Sequence, residues 1–255
     1  LALLEIRGLT QRFGGLQALT DFSIDIGDHD LVGLIGPNGA GKTTVFNLVS
    51  GFYTPSAGSI KFAGTPTRGL KPHQVTALSL ARTFQNIRLW PDMTVLDNIR
   101  LARYHRLGYT FLDAILRTRL YRAAERMAER RAMDILERMD MLDYAQDLPK
   151  NLPYGLQRRV EVARALATRP KLLLLDEPAA GLNSADVDDL IRYIRWVYDE
   201  FNISIWMIEH QMKMVMSLCQ RLMVINFGQT IAKGSPLEIQ SNPDVISAYL
   251  GDDVI

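Results

Sequence analysis

The 255-residue chain is 47% hydrophobic and 22% charged, enough to bury a core of ordinary size in one large domain or two small ones. Lys and Arg number 29 against 28 Asp and Glu, leaving a net charge of +1 and none of the basic surplus by which a nucleic-acid-binding protein is recognised. A single cysteine, Cys219, excludes an internal disulfide and favours a reducing compartment.

No apolar run approaches the ~18 residues of a membrane span, and no basic leader with a cleavage site opens the chain. A polypeptide without a membrane span of its own is therefore expected. Residues 1–30 read as short strands broken by turn residues, with Leu3–Leu9 as one and the alternating Phe22–Ile26 as another, closed by Gly27-Asp28. Leu31–Ile35 (LVGLI) is an apolar run of the kind buried on both faces of a parallel sheet. A glycine-rich turn follows, then a helix from about Lys42 to Ser50.

From about Asn98 to Gln146 the pattern becomes helical and highly charged. Arg122, Arg126 and Arg130 recur every four residues, with Glu125 and Glu129 one step around, which predicts a solvated helix face. This stretch reads as a helical subdomain inserted into an α/β chain. Beyond Leu156 helix and strand alternate: helix 154–168 and strand 172–176, helix 184–201 and strand 203–208, helix 211–219 and strand 221–226, then a turn at Phe227-Gly228-Gln229 and Thr230–Ala232. Such alternation predicts a mostly parallel sheet covered by helices on both faces. Cys219 closes an apolar stretch and reads as a small buried hydrophobe. The tail from Ser235 reads as two short helices punctuated by Pro236 and Pro243.

Two motifs carry chemistry. The run Gly36-Pro37-Asn38-Gly39-Ala40-Gly41-Lys42-Thr43, followed by Thr44, matches G-x-x-x-x-G-K-[ST] between a buried-type strand and a helix. Its glycines let successive backbone N–H groups close around a phosphate, and the helix beginning near Lys42 adds its positive end. Lys42 supplies a mobile charge for the outer phosphates and the Thr43 hydroxyl a Mg²⁺ ligand. The run Leu172-Leu-Leu-Leu-Asp176-Glu177-Pro178 is the partner element. It predicts a buried strand with Asp176 at its carboxyl end, oriented toward the Mg²⁺ shell. Glu177, on the other side of the pleat, is expected to orient and polarise a water attacking the γ-phosphate.

Further residues resemble the ATPases of ABC transporters. Asn151 through Leu166 resembles the signature motif and its helix, Thr83-Phe-Gln85 the Q-loop, Ala180-Gly-Leu-Asn183 the D-loop, and His210 the switch histidine. Phe13 lies 29 positions before Lys42, where the family places an aromatic ring against adenine. The resemblance implies an α/β P-loop NTPase core with a mostly parallel sheet, an N-terminal antiparallel β subdomain and an inserted α-helical subdomain. Residues 1–85 and 157–235 form the core, about 86–156 the helical subdomain, and 236–255 a helical tail. It also implies two subunits that sandwich two ATP molecules with Mg²⁺, the phosphate loop of one facing Pro153, Tyr154 and Gly155 of the other. Gln85 would touch the Mg²⁺ and water shell and sense a membrane partner, and His210 would hold Glu177 and the water in line. The family commonly has Leu-Ser-Gly-Gly-Gln where this chain has Leu152-Pro-Tyr-Gly-Leu156. Pro153 thus lacks the hydroxyl expected to bond the opposite γ-phosphate, which predicts weaker closure.

Arg82 through Trp90, Met93 through Ile99, the Tyr-Gly form of the signature and Asn242 through Asp253 resemble the branched-chain amino acid importer ATPases. That subfamily implies membrane permease subunits, a second ATPase of the same or a related kind, an external binding protein, and a place at the cytoplasmic face of the membrane. Urea, amide or aromatic-acid import, lipopolysaccharide export and a low-turnover regulatory subunit remain alternatives. Soluble ABC ATPases of DNA repair or translation normally carry a coiled-coil insertion or tandem domains, which this chain lacks. Arg88 to Asn98, directly after Gln85, is the expected permease-docking stretch.

Overall fold

The computed structural model describes residues 2–104 and 108–250. Its contacts divide the chain into two compact units, Leu1–Gln85 with Lys171–Ile255, and Asn86–Pro170.

The first unit opens with a long hairpin, β1 (Leu4–Phe13) and β2 (Leu16–Ile26), turning at Gly14-Gly15. The sequence predicted shorter strands here. The difference arises because β1 and β2 pair through register shifts between Ile6 and Leu9, Leu9 and Gln11, and Gln11 and Arg12. Each shift breaks the period-two alternation by which a strand is recognised, while the ladder itself continues. β4 (Ala57–Phe62) pairs with β1, and β5 (Thr65–Pro66) with β4, completing a four-stranded antiparallel sheet in the order β2-β1-β4-β5.

The second sheet runs β10-β9-β3-β8-β7-β6. It comprises β3 (Leu31–Ile35), β6 (Leu80–Arg82), β7 (Leu172–Asp176), β8 (Ser204–Ile208), β9 (Arg221–Asn226) and β10 (Gln229–Gly234). Every pair is parallel except β10 with β9. β3, β7 and β8 are buried at every position, as their unbroken apolar runs require of interior strands flanked on both faces. Helices α1 (Lys42–Val49), α2 (Pro72–Ala77), α7 (Ser184–Phe201) and α8 (Met212–Leu218) belong to the same unit. So do α9 (Pro236–Gln240) and α10 (Pro243–Leu250), which place Pro236 and Pro243 in their first turns.

The main core joins Leu4, Ile6 and Phe22 of the antiparallel sheet to Val45 and Phe46 of α1 and to Leu174, Trp206 and Ile208 of the parallel sheet. Fully buried Trp206 stacks on Phe22 at 6.4 Å and meets Phe46 edge-on at 5.1 Å. Cys219 is buried as expected, and that burial pushes its thiol up to about 12.

The second unit is helical: α3 (Val95–Leu101), α4 (Phe111–Leu116), α5 (Arg119–Arg138), the 3-10 turns Leu142–Tyr144 and Pro149–Asn151, and α6 (Tyr154–Ala167). Ala124, Ala128, Ala132, Ile135 and Leu136 form the buried stripe of α5, four or so residues apart, while Arg122, Arg126 and Arg130 are exposed as predicted. The sequence boundary at residues 156/157 is corrected by this packing. α6 lies against α3 and α5, with Val160, Ala163 and Ala167 buried, so the helical unit runs on to Pro170. Arg103 donates to the Ala167 carbonyl at 2.9 Å and so satisfies the end of α6.

Candidate active site

In a parallel sheet the carboxyl ends of all strands share one edge, and ligands of such sheets bind there. β3, β6, β7 and β8 each deliver a functional segment to that edge: the phosphate loop, Arg82 to Gln85, Asp176-Glu177, and Glu209-His210.

The phosphate loop leaves β3 at Gly36. A Cβ there would lie 2.0 Å from the Ile225 carbonyl oxygen, so no other residue fits. Gly41 caps α1 in the left-handed region, at φ 105°, and its Cβ would lie 2.7 Å from the Ala18 carbonyl oxygen. Pro37 is half-buried, Asn38 and Gly39 are exposed, and Ala40 is buried. Thr43 and Thr44 lie in the first turn of α1, Thr43 exposed. Lys42 is buried and its Nζ donates to the carbonyls of Gly36 at 2.6 Å and Pro37 at 2.9 Å, so the lysine spans its own loop. Burial lowers its ammonium below the usual lysine range, and the carboxylates of Glu177 and Asp176 oppose that shift. Burial raises the phenol of Tyr249 on α10, and the nearby Gly36 backbone opposes that shift.

Asp176 ends β7, opposite Ile208 of β8. Its Oδ2 accepts from Arg82 at 2.7 Å, and both side chains are almost wholly buried. The same guanidinium donates to Asn47 and Ser50 of α1 at 2.8 and 2.9 Å and sits among the rings of Phe46, Phe52 and Phe84. Arg82 entered the sequence reading only as part of a subfamily resemblance. Its pairing with Asp176 depends on β6 lying beside β7, which three residues of strand do not announce.

Glu177 was expected to turn from Asp176 through the pleat of a strand. It does so instead through a left-handed backbone, φ 46°, held by its N–H on the Ile208 carbonyl at 2.9 Å. Its Oε2 accepts from the Gln85 amide at 2.7 Å and lies 3.9 Å from His210 Nδ1. Three of the predicted residues, Gln85, Glu177 and His210, therefore meet at one carboxylate oxygen.

Behind His210 lies Glu209, fully buried. Its Oε1 accepts from Ala179 N at 2.9 Å, and its Oε2 from His210 N at 2.8 Å and Gln211 N at 3.1 Å. One carboxylate thus joins the loop after Glu177 to the loop that carries His210. The signal for it was legible: a carboxylate ending the apolar strand that precedes His210.

Phe13, at the end of β1, is 40% exposed and lies edge-on to Tyr53 at 5.2 Å, a second exposed ring the sequence reading passed over. Pro153, Tyr154 and Gly155 belong to the other unit. Pro153 is the N-cap of α6 rather than a residue of its first turn, and no side chain caps that helix. The Tyr154 hydroxyl accepts from Arg158, which also pairs with buried Glu161. In the expected docking stretch, buried Asn98 accepts from Trp90 N and donates to the carbonyls of Trp90, Met93 and Thr94. It pins that loop from within the helix it precedes.

The family model described as ABC transporter matches residues 19–180, and that of the branched-chain amino acid ATP-binding cassette transporter matches residues 229–255. The chain is 44% identical over 250 residues to the high-affinity branched-chain amino acid transport ATP-binding protein BraF of Pseudomonas aeruginosa, covering 98% of each chain. It is 43% identical, at the same coverage, to the corresponding protein LivG of Escherichia coli K12. Among solved structures, the ADP conformation of MJ1267, an ATP-binding cassette of an ABC transporter, superposes with a TM-score of 0.85 at 28% identity, over 99% of this chain and 100% of that one. A phosphate-loop motif, an acidic strand end and His210 on one sheet edge, in a chain so similar to these proteins, make it a member of the ABC transporter family, one of its ATP-binding, ATP-hydrolysing subunits.

Proposed function

We propose that this chain energises an importer of branched-chain amino acids from the cytoplasmic face of the membrane, closing on ATP as a pair with itself or with a related ATPase beneath permease subunits. The cargo is inferred from the proteins to which it is 43–44% identical along almost its whole length. The meeting of Gln85, Glu177 and His210 at one carboxylate oxygen carries the mechanistic part.

In this reading the backbone N–H groups from Asn38 to Thr44 and the Lys42 ammonium hold the phosphates within the Gly36–Thr44 loop, and Phe13 faces the base. Thr43, Gln85 and Asp176 offer oxygens alone, the donor type Mg²⁺ takes, and such a site needs few protein ligands because water and phosphate complete the shell. Bound there, Mg²⁺ would neutralise charge on the outer phosphates. Glu177 orients a water for attack on the γ-phosphate. The Gln85 amide holds that carboxylate, His210 stands 3.9 Å from it, and Glu209 fixes the backbone that presents His210. Pro153, Tyr154 and Gly155 face the phosphates of the opposite subunit through the open N-terminus of α6.

The test is Glu177→Gln beside wild type, with hydrolysis and light scattering read in Mg²⁺-ATP. Hydrolysis is expected to fall at least 100-fold while ATP binding persists and a dimer accumulates only in the variant. Retained turnover would remove Glu177 from the mechanism. Uptake of labelled leucine by cells carrying the chain with its permease tests the cargo, and ATP hydrolysis without leucine uptake would refute it.

A further inference from the structure

α4 and the start of α5 form a surface that nucleotide chemistry does not use. Phe111, Leu112, Ile115 and Leu116 of α4 are 80, 66, 60 and 71% exposed, and Leu120 in the first turn of α5 is 54% exposed. At about 100° per residue the four side chains of α4 cover an arc of roughly 140°. The helix that presents them is firmly closed. Thr110 and Asp113 form a reciprocal cap at its start, and Asp113 also accepts from Thr118 at its end.

Exposed cations are frequent on the same segment. Arg117, Arg119, Arg122, Arg126 and Arg130 are all exposed, whereas Glu129 is the one exposed acid between residues 111 and 130. Glu125 is engaged by Arg100 and Tyr109, and Asp113 by the cap. In a chain of net charge +1 this is a local concentration of positive charge. A solvated helix accounts for the arginines but not for five large apolar side chains beside them. An exposed apolar arc on a segment rich in exposed arginines matches an interface with acyl chains below and anionic headgroups above.

We propose that α4 and the first turns of α5 dock directly on an anionic lipid surface, with Phe111, Leu112, Ile115, Leu116 and Leu120 entering the headgroup boundary and the arginines lying on the headgroups. This contact goes beyond the transport reading and does not require a permease, so it is tested with the purified chain alone. Co-flotation is measured with phosphatidylcholine vesicles and with vesicles doped with phosphatidylglycerol, at low and high salt.

Wild type is expected to float with the doped vesicles, and less so at high salt. Leu116→Asp combined with Ile115→Asp should abolish flotation. Arg119→Gln with Arg122→Gln should weaken it at least tenfold, each arginine contributing about fivefold. ATP hydrolysis by these surface variants should equal wild type, which shows that they fold. Flotation unchanged in the aspartate variant, equal flotation with undoped vesicles, or none with doped vesicles at low salt would each overturn the proposal. Capture by permease in detergent that is lost in the aspartate variant, without vesicle binding by wild type, would assign the face to protein instead.

Discussion

Arg82 holds the Asp176 carboxylate and Glu209 the backbone of His210, and no motif identified either of them. Arg82 keeps the Asp176 carboxylate in place through a pair shielded from water and surrounded by three rings. Removing one partner of such a pair leaves a buried charge without compensation. Arg82→Ala is therefore expected to lower stability by about 3 kcal/mol in urea unfolding. Arg82→Lys should recover part of that loss, because it restores the charge but not the planar fork. Glu209 accepts three backbone N–H bonds, and Glu209→Gln turns a donor toward at least one of those amides. A loss of about 2 kcal/mol is expected. The kcat for ATP should fall more than KM changes, since the phosphate loop is untouched while the backbone of His210 is freed.

At the scale of elements, α6 begins without the cap that its position invites. Pro153 has φ −53° and ψ 149°, an extended geometry that serine adopts freely. Pro153→Ser should add a side-chain acceptor for the first turn and stabilise the chain by about 1 kcal/mol. If that helix end also faces a phosphate across the pair, the same change should lower the ATP concentration needed for dimerisation in light scattering. A gain in stability without any change in dimerisation would confine Pro153 to a local role. The β1–β2 hairpin makes a related point. Its bulges hid its length from pattern reading, yet its far end brings the Ala18 carbonyl against Gly41 and places Phe13 beside Tyr53. The irregular hairpin thus carries one contact to the phosphate loop and sets a ring against Tyr53.

For the molecule as a whole, the burial of Cys219 makes a pH-dependent statement. The folded thiol is pushed up to about 12, whereas the unfolded thiol ionises from its ordinary value near 9. Between those values the unfolded chain binds fewer protons than the folded one, so stability falls as pH rises. The full contribution is present below pH 9 and is lost progressively toward pH 12. Cys219→Ala should flatten this part of the alkaline decline in thermal melts. In wild type at about pH 8.5, alkylation of the thiol should follow unfolding rather than precede it. Equal alkaline slopes for the two proteins would show that the decline arises elsewhere.

The phosphate loop, the acidic strand end and the order of the later helices and strands were legible because each rests on local chemistry: glycine at strained dihedrals, unbroken apolar runs, a lysine and a carboxylate at the ends of elements. Arg82 was not, because its partner Asp176 is distant in sequence and only the pairing of β6 with β7 brings it near. The length of the hairpin was hidden by bulges, and the turn at Glu177 by a left-handed backbone that no residue type advertises. The allegiance of α6 to the helical unit was decided by the faces it buries rather than by its neighbours in the chain. Sequence by itself therefore determined which reactive groups this protein carries and in what order. Tertiary structure decided which of them come within a few ångströms of one another, because hydrogen bonds and ion pairs act through space and not along the chain.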